Sequence, residues 1–88
     1  MHSPTLFMLM ASYGGPTIKL DSISETYFGM APKTAQAKAT AGLLPIPAFR
    51  ASQKSPYQVH LADLAHYIDS KRDEASYRVE QLSVKPRR

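Results

Sequence analysis

The chain has 88 residues and no cysteine, 43% of its residues are hydrophobic, and 11 Lys and Arg outnumber 7 Asp and Glu. This length allows a single domain with a thin core, because a chain of this size buries only about 60% of its unfolded surface. The composition excludes a disulfide framework and a thiolate metal site, and it is too apolar for a disordered chain. The net charge of +4 favours a polyanionic partner.

The basic charge is concentrated in the middle of the chain. No Asp or Glu occurs between residues 26 and 62, where the basic residues are Lys33, Lys38, Arg50 and Lys54. Five of the seven acids follow this stretch, and four of them are grouped on the next predicted helix: Asp63, Asp69, Asp73 and Glu74. Such segregation is typical of a face that meets nucleic acid, but it also fits a merely solvated surface. Charge alone does not choose between the two.

The first predicted helix runs from Pro4 to about Tyr13. Ser3 is a favoured N-cap, Pro is a favoured first helical residue, and Gly14-Gly15-Pro16 ends the helix. The helix is almost entirely apolar, so it must pack against another surface. Its apolar run Leu6–Ala11 is shorter than the roughly seven residues of an export signal, and no stretch approaches the ~20 residues of a membrane span. We therefore expect a soluble cytoplasmic protein, without membrane partners.

A short strand and a second helix follow. The alternation in Thr17–Leu20 predicts a brief strand. Asp21 or Ser22 is placed to cap the next helix, and Ser22–Glu25 matches a capping box. This helix is expected to end at Gly29.

The third predicted helix is rich in alanine and extends from Pro32 to Ala41, where Gly42 ends it. Ala35 and Ala39 would face the preceding helix. Two helices joined by a tight turn around Gly29 have the spacing of a helix-turn-helix. The outer surface of the third helix would then carry Lys33, Thr34, Gln36, Ala37, Lys38 and Thr40.

Residues 43–60 are predicted to form a β-hairpin. Leu43–Arg50 is extended, and its two prolines restrict it to an edge position. Residues 51–56 favour a turn. In Tyr57–His60 apolar and polar residues alternate, with Tyr57 and Val59 on one side, which predicts a strand. A hairpin with a polar, basic tip is a wing, so the predicted fold is mostly α with a small β-hairpin, a winged helix-turn-helix.

A last helix begins at Leu61. Apolar residues at positions 61, 64, 65 and 68 have helical spacing, which predicts a helix to about Arg72. We divide the chain into a DNA-binding domain, residues 1–73, and a helical extension with a frayed basic tail, residues 74–88. A loose seven-residue repeat, interrupted by Arg72, predicts a homodimer. Its expected interface is Leu61, Ile68, Ala75, Val79 and Leu82.

Several motifs carry a resemblance to known families. Residues 18–68 resemble the MerR-type and excisionase-type winged helix, through Gly42-Leu43-Leu44-Pro45, Phe49-Arg50, Tyr57 and Leu61-Ala62-Asp63-Leu64. Over residues 6–70 the chain more closely resembles the pyocin activator protein family. That likeness rests on Leu9–Gly15, Tyr27-Phe28, Ala51–Lys54 and Val59–Asp69.

The resemblance implies a transcriptional activator of phage-tail-like bacteriocin genes that binds double-stranded DNA upstream of them, with RNA polymerase as a further candidate partner. The chain departs from the MerR type because it lacks cysteine and a long coiled-coil helix, so metal sensing is not carried over. The predicted recognition helix also lacks arginine, the commonest reader of guanine.

Base contacts would therefore rest on Lys33, Thr34, Gln36 and Lys38. Gln can bond adenine at N6 and N7, whereas Lys reaches guanine or a phosphate. Arg50, Gln53 and Lys54 at the hairpin suit contacts with the DNA backbone or the minor groove. A lone exposed Gln is most often only solvated, so the interpretation depends on all of these residues surrounding one helix-turn-helix.

The sequence offers few candidates for catalytic residues. His60 and His66 fall on different helix faces, and His60 is expected at the helix start as a structural residue. We expect no enzyme, cofactor, metal or small-molecule ligand. Two alternatives stay open: an excisionase-like protein that bends DNA, and a phage-derived module that binds a protein through the first helix and residues 75–82.

Overall fold

The computed structural model describes residues 4–83. The elements follow in the order α1 (Pro4–Tyr13), β1 (Thr17–Lys19), α2 (Leu20–Phe28), α3 (Pro32–Ala41), β2 (Gln58–His60) and α4 (Leu61–Ser83). The predicted fold class is confirmed: the described chain is mostly helical with a small antiparallel two-stranded sheet, an arrangement compatible with a winged helix-turn-helix. The predicted cap Ser3 and the predicted tail beyond residue 83 lie outside the described residues.

Proline and glycine set most helix ends as predicted. Helix α1 begins at Pro4, and α3 begins at Pro32. Helices α2 and α3 end at Gly29 and Gly42, whose φ angles are +67° and +73°. This left-handed conformation is strained for residues with a Cβ, so glycine is the natural C-terminal stop.

The start of α2 differs from the prediction. The helix begins at Leu20 rather than after Asp21 or Ser22, and its N-cap residue, Lys19, makes no side-chain capping bond. The predicted capping box is therefore wrong. A main-chain hydrogen bond satisfies the start of the helix instead: the N–H of Leu20 donates to the carbonyl of Tyr57 (2.9 Å). The strand β1 thus continues directly into the helix.

The sheet joins distant parts of the chain. Strands β1 and β2 are antiparallel, with Thr17 opposite His60 and Lys19 opposite Gln58. The predicted hairpin partner, Leu43–Arg50, contributes only one bridge, in which Phe49 and Gln58 exchange hydrogen bonds of 2.9 and 2.7 Å. The two prolines of that segment have no N–H to donate, which limits its pairing. We call residues 49–58, closed by this bridge, the wing loop.

The core lies where α1, α2, the sheet and the first half of α4 meet. Leu20, Ile23, Val59, Leu61 and Leu64 are fully buried there. Around them, the Thr5 hydroxyl of α1 donates a 2.6 Å hydrogen bond to Asp69 of α4. The rings of Phe28 and Tyr67 meet edge to face with centroids 5.1 Å apart, which joins α2 to α4.

Helix α4 follows β2 without a linker. The N–H of Leu61 donates to the carbonyl of Pro16 (2.7 Å), and Nδ1 of His60 accepts the N–H of Ala62 (3.0 Å). His60 is therefore the N-cap of α4, which confirms its predicted structural role at the helix start. None of the helices in the described part of the chain could cross a membrane.

The residues predicted to form a dimer interface divide into two groups. Leu61 is fully buried in the core, so its side chain is not available to a second subunit, and Ile68 is partly buried against the same core. Ala75, Val79 and Leu82 lie beyond the globular part, where every residue from 71 to 82 is exposed. The helix continues through them to Ser83 without a break.

Candidate nucleic-acid interface

Helix α3 packs closely on α2 through small side chains. Ala35 is fully buried and Ala39 is partly buried, as the alanine spacing predicted. Because alanine keeps the two helix axes close, α3 needs no large apolar residues to hold its position. Its opposite face is left on the surface.

The outer face of α3 carries four of the predicted contact residues together. Gln36, Ala37 and Thr40 are three, four and seven residues from Lys33 and therefore share one side of the helix with it. Lys33, Ala37 and Thr40 are exposed, and Gln36 is partly buried. Lys38 lies about 140° around the helix from Lys33, so it borders this face rather than joining it.

Thr34 lies between this face and Lys38, on the same side of the helix as Lys38. It is exposed and stands about 100° from its neighbour Lys33. The six predicted residues of α3 therefore form a central group of four, with Thr34 and Lys38 together on one flank. A ligand that contacts the centre of the face meets Thr34 and Lys38 only at one edge.

Gln36 is held by a residue that the sequence did not single out for this site. Its side-chain amide donates a 2.7 Å hydrogen bond to the carboxylate of Asp21 in the first turn of α2. An acid in the first turn is favourable for the α2 dipole. Asp21 also places one negative charge beside this face, although the stretch of sequence that contains α3 has no acidic residue.

Tyr57 joins the wing loop to α3. Its hydroxyl lies 2.9 Å from the hydroxyl of Thr40, which in turn donates to the carbonyl of Gln36 (3.1 Å). On the other side, the guanidinium of Arg50 lies 4.4 Å from the centroid of the Tyr57 ring, within cation–π distance. The face of α3 and the wing loop are therefore connected through one side chain.

The tip of the wing loop is organised by hydrogen bonds of its own. Arg50 donates to the carbonyl of Gln53 (3.3 Å), and the Ser52 hydroxyl accepts the N–H of Lys54 (3.3 Å) and lies 3.0 Å from the Ser55 hydroxyl. Gln53 and Lys54 are exposed. The loop thus presents these predicted contact residues from a hydrogen-bonded turn.

The basic side chains at this surface are available to an anion. Among residues 4–82, whose side chains the structure describes, no carboxylate pairs with Lys33, Lys38, Arg50 or Lys54. The acids predicted to lie apart from them, from Asp63 to Glu74, are indeed on α4. Within the same residues, no group of three His, Asp or Glu side chains could hold a metal ion.

These features define a small, mostly helical protein with an exposed helix and a connected loop, an arrangement compatible with a winged helix-turn-helix. The protein family described as Pyocin activator protein PrtN matches residues 5–75. The chain therefore belongs to the pyocin activator protein family, which confirms the resemblance and supports a role in activating pyocin genes. Neither the curated proteins nor the solved structures contain a match to this chain.

Proposed function

We propose that this chain is a sequence-specific, double-stranded-DNA-binding activator of pyocin genes, acting in the bacterial cytoplasm without a cofactor or an enzymatic activity. Family membership supports the activator role. The surface of α3 and the wing loop supports DNA as the partner. RNA polymerase is the candidate second partner, since an activator that binds upstream DNA must influence transcription through it.

One observation carries the proposal: Tyr57 contacts both Thr40 of α3 and Arg50 of the wing loop. An α-helix fits the major groove of DNA, which is about 12 Å wide. A loop fixed beside that helix can reach the phosphate backbone or the adjacent minor groove at the same time. The Tyr57 contacts fix such a relationship between the two elements.

Within this arrangement each side chain has a distinct role. Gln36, on the centre of α3, is placed to read base edges, with Ala37 small enough to allow close approach, and Lys33 beside it reaches a base or a phosphate. Lys54 and Arg50 of the wing loop, and Lys38 at the border, contact phosphates. Base contacts supply sequence discrimination, whereas phosphate contacts supply affinity that depends on salt.

The test is binding to labelled duplexes from upstream of phage-tail genes, and to scrambled duplexes, measured by anisotropy over a range of salt concentrations. If Lys33, Lys38, Arg50 and Lys54 each neutralise a phosphate, log affinity should fall with log salt at a slope of about −3.6 per subunit. Lys54→Ala should weaken binding to both duplexes and reduce the slope by about 0.9. The matched control, Lys71→Ala on α4, should leave binding unchanged.

Two outcomes would overturn the proposal. Absence of binding at low salt, or a slope near zero, would favour a module that binds protein instead. Equal losses in Lys54→Ala and Lys71→Ala would mean that the charge as a whole, rather than this surface, attracts DNA. Mapping of genomic sites separates the activator from an excisionase-like role, because only an activator requires sites clustered upstream of phage-tail genes.

A further inference from the structure

Lys19 is an exposed cation at the point where β1 becomes α2. It is the last residue of the strand and the N-cap residue of the helix. In the sheet it is paired with Gln58, which is itself bridged to Phe49 at the base of the wing loop. Paired residues of antiparallel strands point to the same face of a sheet, whereas Val59, the neighbour of Gln58, is buried on the other face. The Lys19 side chain therefore lies on the solvent face of the sheet.

The two residues after Lys19 hold it beside both elements of the proposed DNA surface. The N–H of Leu20 donates to the carbonyl of Tyr57 in the wing loop (2.9 Å). The carboxylate of Asp21 accepts the side-chain amide of Gln36 on the outer face of α3 (2.7 Å). Successive Cα atoms of a chain are only about 3.8 Å apart. Lys19 therefore lies at the junction where β1 and α2 meet the wing loop and α3.

The charge of Lys19 is not neutralised within the described part of the chain. Among residues 4–82, whose side chains the structure describes, the one ion pair joins Lys71 to Glu74 on α4. The nearest acid in the sequence, Asp21, is two positions away, a spacing at which helical side chains do not face each other. Lys19 thus presents an ammonium on a flexible four-carbon stem to an anion at the surface.

A lysine at this position does not favour the stability of the fold. Ser, Thr, Asp and Asn are the preferred N-cap residues because their side-chain oxygens accept helix N–H groups, and Lys19 makes no capping bond. A cation at a helix N-terminus also opposes the helix dipole. Such departures from the local rules of stability are expected at functional sites. The helix therefore gives no reason for a lysine at position 19, whereas an anionic ligand does.

We propose that Lys19 contacts a phosphate of the DNA backbone, as a further member of the surface formed by α3 and the wing loop. This inference rests on the proposed function, and it adds a third element to the interface, the junction of β1 and α2. A phosphate contact orients the protein on the duplex and adds affinity without sequence discrimination. The charge of Lys19 also offsets that of Asp21, the acid beside the face of α3.

The test compares Lys19→Ser with Lys71→Ala, which removes one positive charge from α4, on specific and scrambled duplexes over a range of salt concentrations. Lys19→Ser should weaken binding to both duplexes about five- to tenfold at roughly 0.1 M salt and reduce the salt slope by about 0.9. Lys71→Ala should leave binding unchanged, and Lys19→Arg should retain it because the charge remains. In urea denaturation Lys19→Ser should be at least as stable as the wild type, since serine can cap α2 and the unfavourable charge is gone.

The outcomes separate this inference from the proposed function. If Lys54→Ala reduces affinity and slope but Lys19→Ser does not, the Lys19 contact is overturned while the DNA-binding surface stands. If the wild type shows no salt-dependent binding, both are overturned. Equal losses in Lys19→Ser and Lys71→Ala, a loss confined to the specific duplex, or a loss accompanied by lower stability would each contradict a phosphate contact at Lys19.

Discussion

The side-chain amide of Gln36 and the carboxylate of Asp21 share a 2.7 Å hydrogen bond that connects the outer face of α3 to the first turn of α2. The bond uses one of the two amide hydrogens and leaves the amide oxygen and the other hydrogen for a ligand. Asp21 is therefore a positioning residue for Gln36, and at the same time a negative charge close to the proposed DNA surface. These two effects oppose each other and can be separated by substitution.

Gln36→Ala should weaken binding to the specific duplex by about 1–3 kcal/mol and leave binding to random DNA nearly unchanged, because a base-reading side chain contributes discrimination rather than general affinity. Titration of both duplexes at one salt concentration measures the difference. Equal losses on both duplexes would assign Gln36 to the solvated surface.

Asp21→Asn keeps an acceptor for the Gln36 amide but removes the charge. We expect tighter binding to specific and random DNA alike, because repulsion from the phosphates is lost while Gln36 stays in place. Asp21→Ala removes both functions, so it should gain general affinity but lose discrimination between the two duplexes. If the Asn and Ala variants discriminate equally well, the hydrogen bond does not position Gln36.

Ser24 is fully buried, and its hydroxyl has no hydrogen-bond partner among the described residues. Ser24→Ala should raise the free energy of unfolding by about 1 kcal/mol, since it removes an unsatisfied polar group and introduces a better helix former. Urea denaturation gives the value. Ser22→Ala, at an exposed position of the same helix, should gain only the helix-propensity part. A smaller gain at position 24 than at position 22 contradicts the prediction.

His60 accepts the N–H of Ala62 and so caps α4. His60→Ala should lower the free energy of unfolding by about 1 kcal/mol, and His60→Asn should restore most of it because Asn is a good N-cap residue. Thermal unfolding of these variants is compared with His66→Ala, which removes an exposed histidine from within the same helix. Equal effects of the two alanine variants would show that the cap contributes nothing.

Burial raises the pKa of the Tyr27 phenol above 10.0, and the neighbouring Tyr13, through its charge and a hydrogen bond, raises this pKa further. The folded state therefore disfavours the Tyr27 phenolate. Its contribution to stability is complete below pH 10 and is lost as the pH rises through the raised pKa of the folded state. Tyr27→Phe should show a shallower alkaline loss of stability than the wild type.

The NMR signal of the Tyr27 ring, resolved from those of the other four tyrosines, reports the same effect directly. In Tyr13→Phe, the titration of Tyr27 should move to lower pH, because the charge and the hydrogen bond of Tyr13 are both removed. A Tyr27 titration that Tyr13→Phe leaves unchanged, or a Tyr27→Phe stability profile that follows the wild type, would contradict the prediction.

The helix boundaries were largely predictable because they depend on local chemistry. Pro4 and Pro32 begin helices, and Gly29 and Gly42 end them, through constraints on their own φ angles. The start of α2 was not predictable in this way. There a main-chain bond from Leu20 to a residue far along the chain replaced the expected side-chain cap.

The site could be predicted only as a list of residues. The alanine spacing of α3 correctly placed Lys33 and Gln36 on the surface, but the contacts that organise the site cross long stretches of sequence. Asp21 is 15 residues from Gln36, and Tyr57 is 17 residues from Thr40. Helical periodicity relates only positions three or four apart, so these pairs leave no pattern in the sequence.

The direct passage from His60 of β2 to Leu61 of α4 leaves no flexible joint between the sheet and the last helix. Ala75, Val79 and Leu82 form an apolar stripe on the exposed end of α4, and the direction of this stripe is therefore set relative to the sheet. Each residue inserted after Ser70 would turn the stripe by about 100° and move it by about 1.5 Å along the axis. Insertions of seven residues return it to within about 20° of its original direction. An insertion therefore keeps the apolar side of α4 pointing in the same direction only if its length is close to a whole number of helical turns.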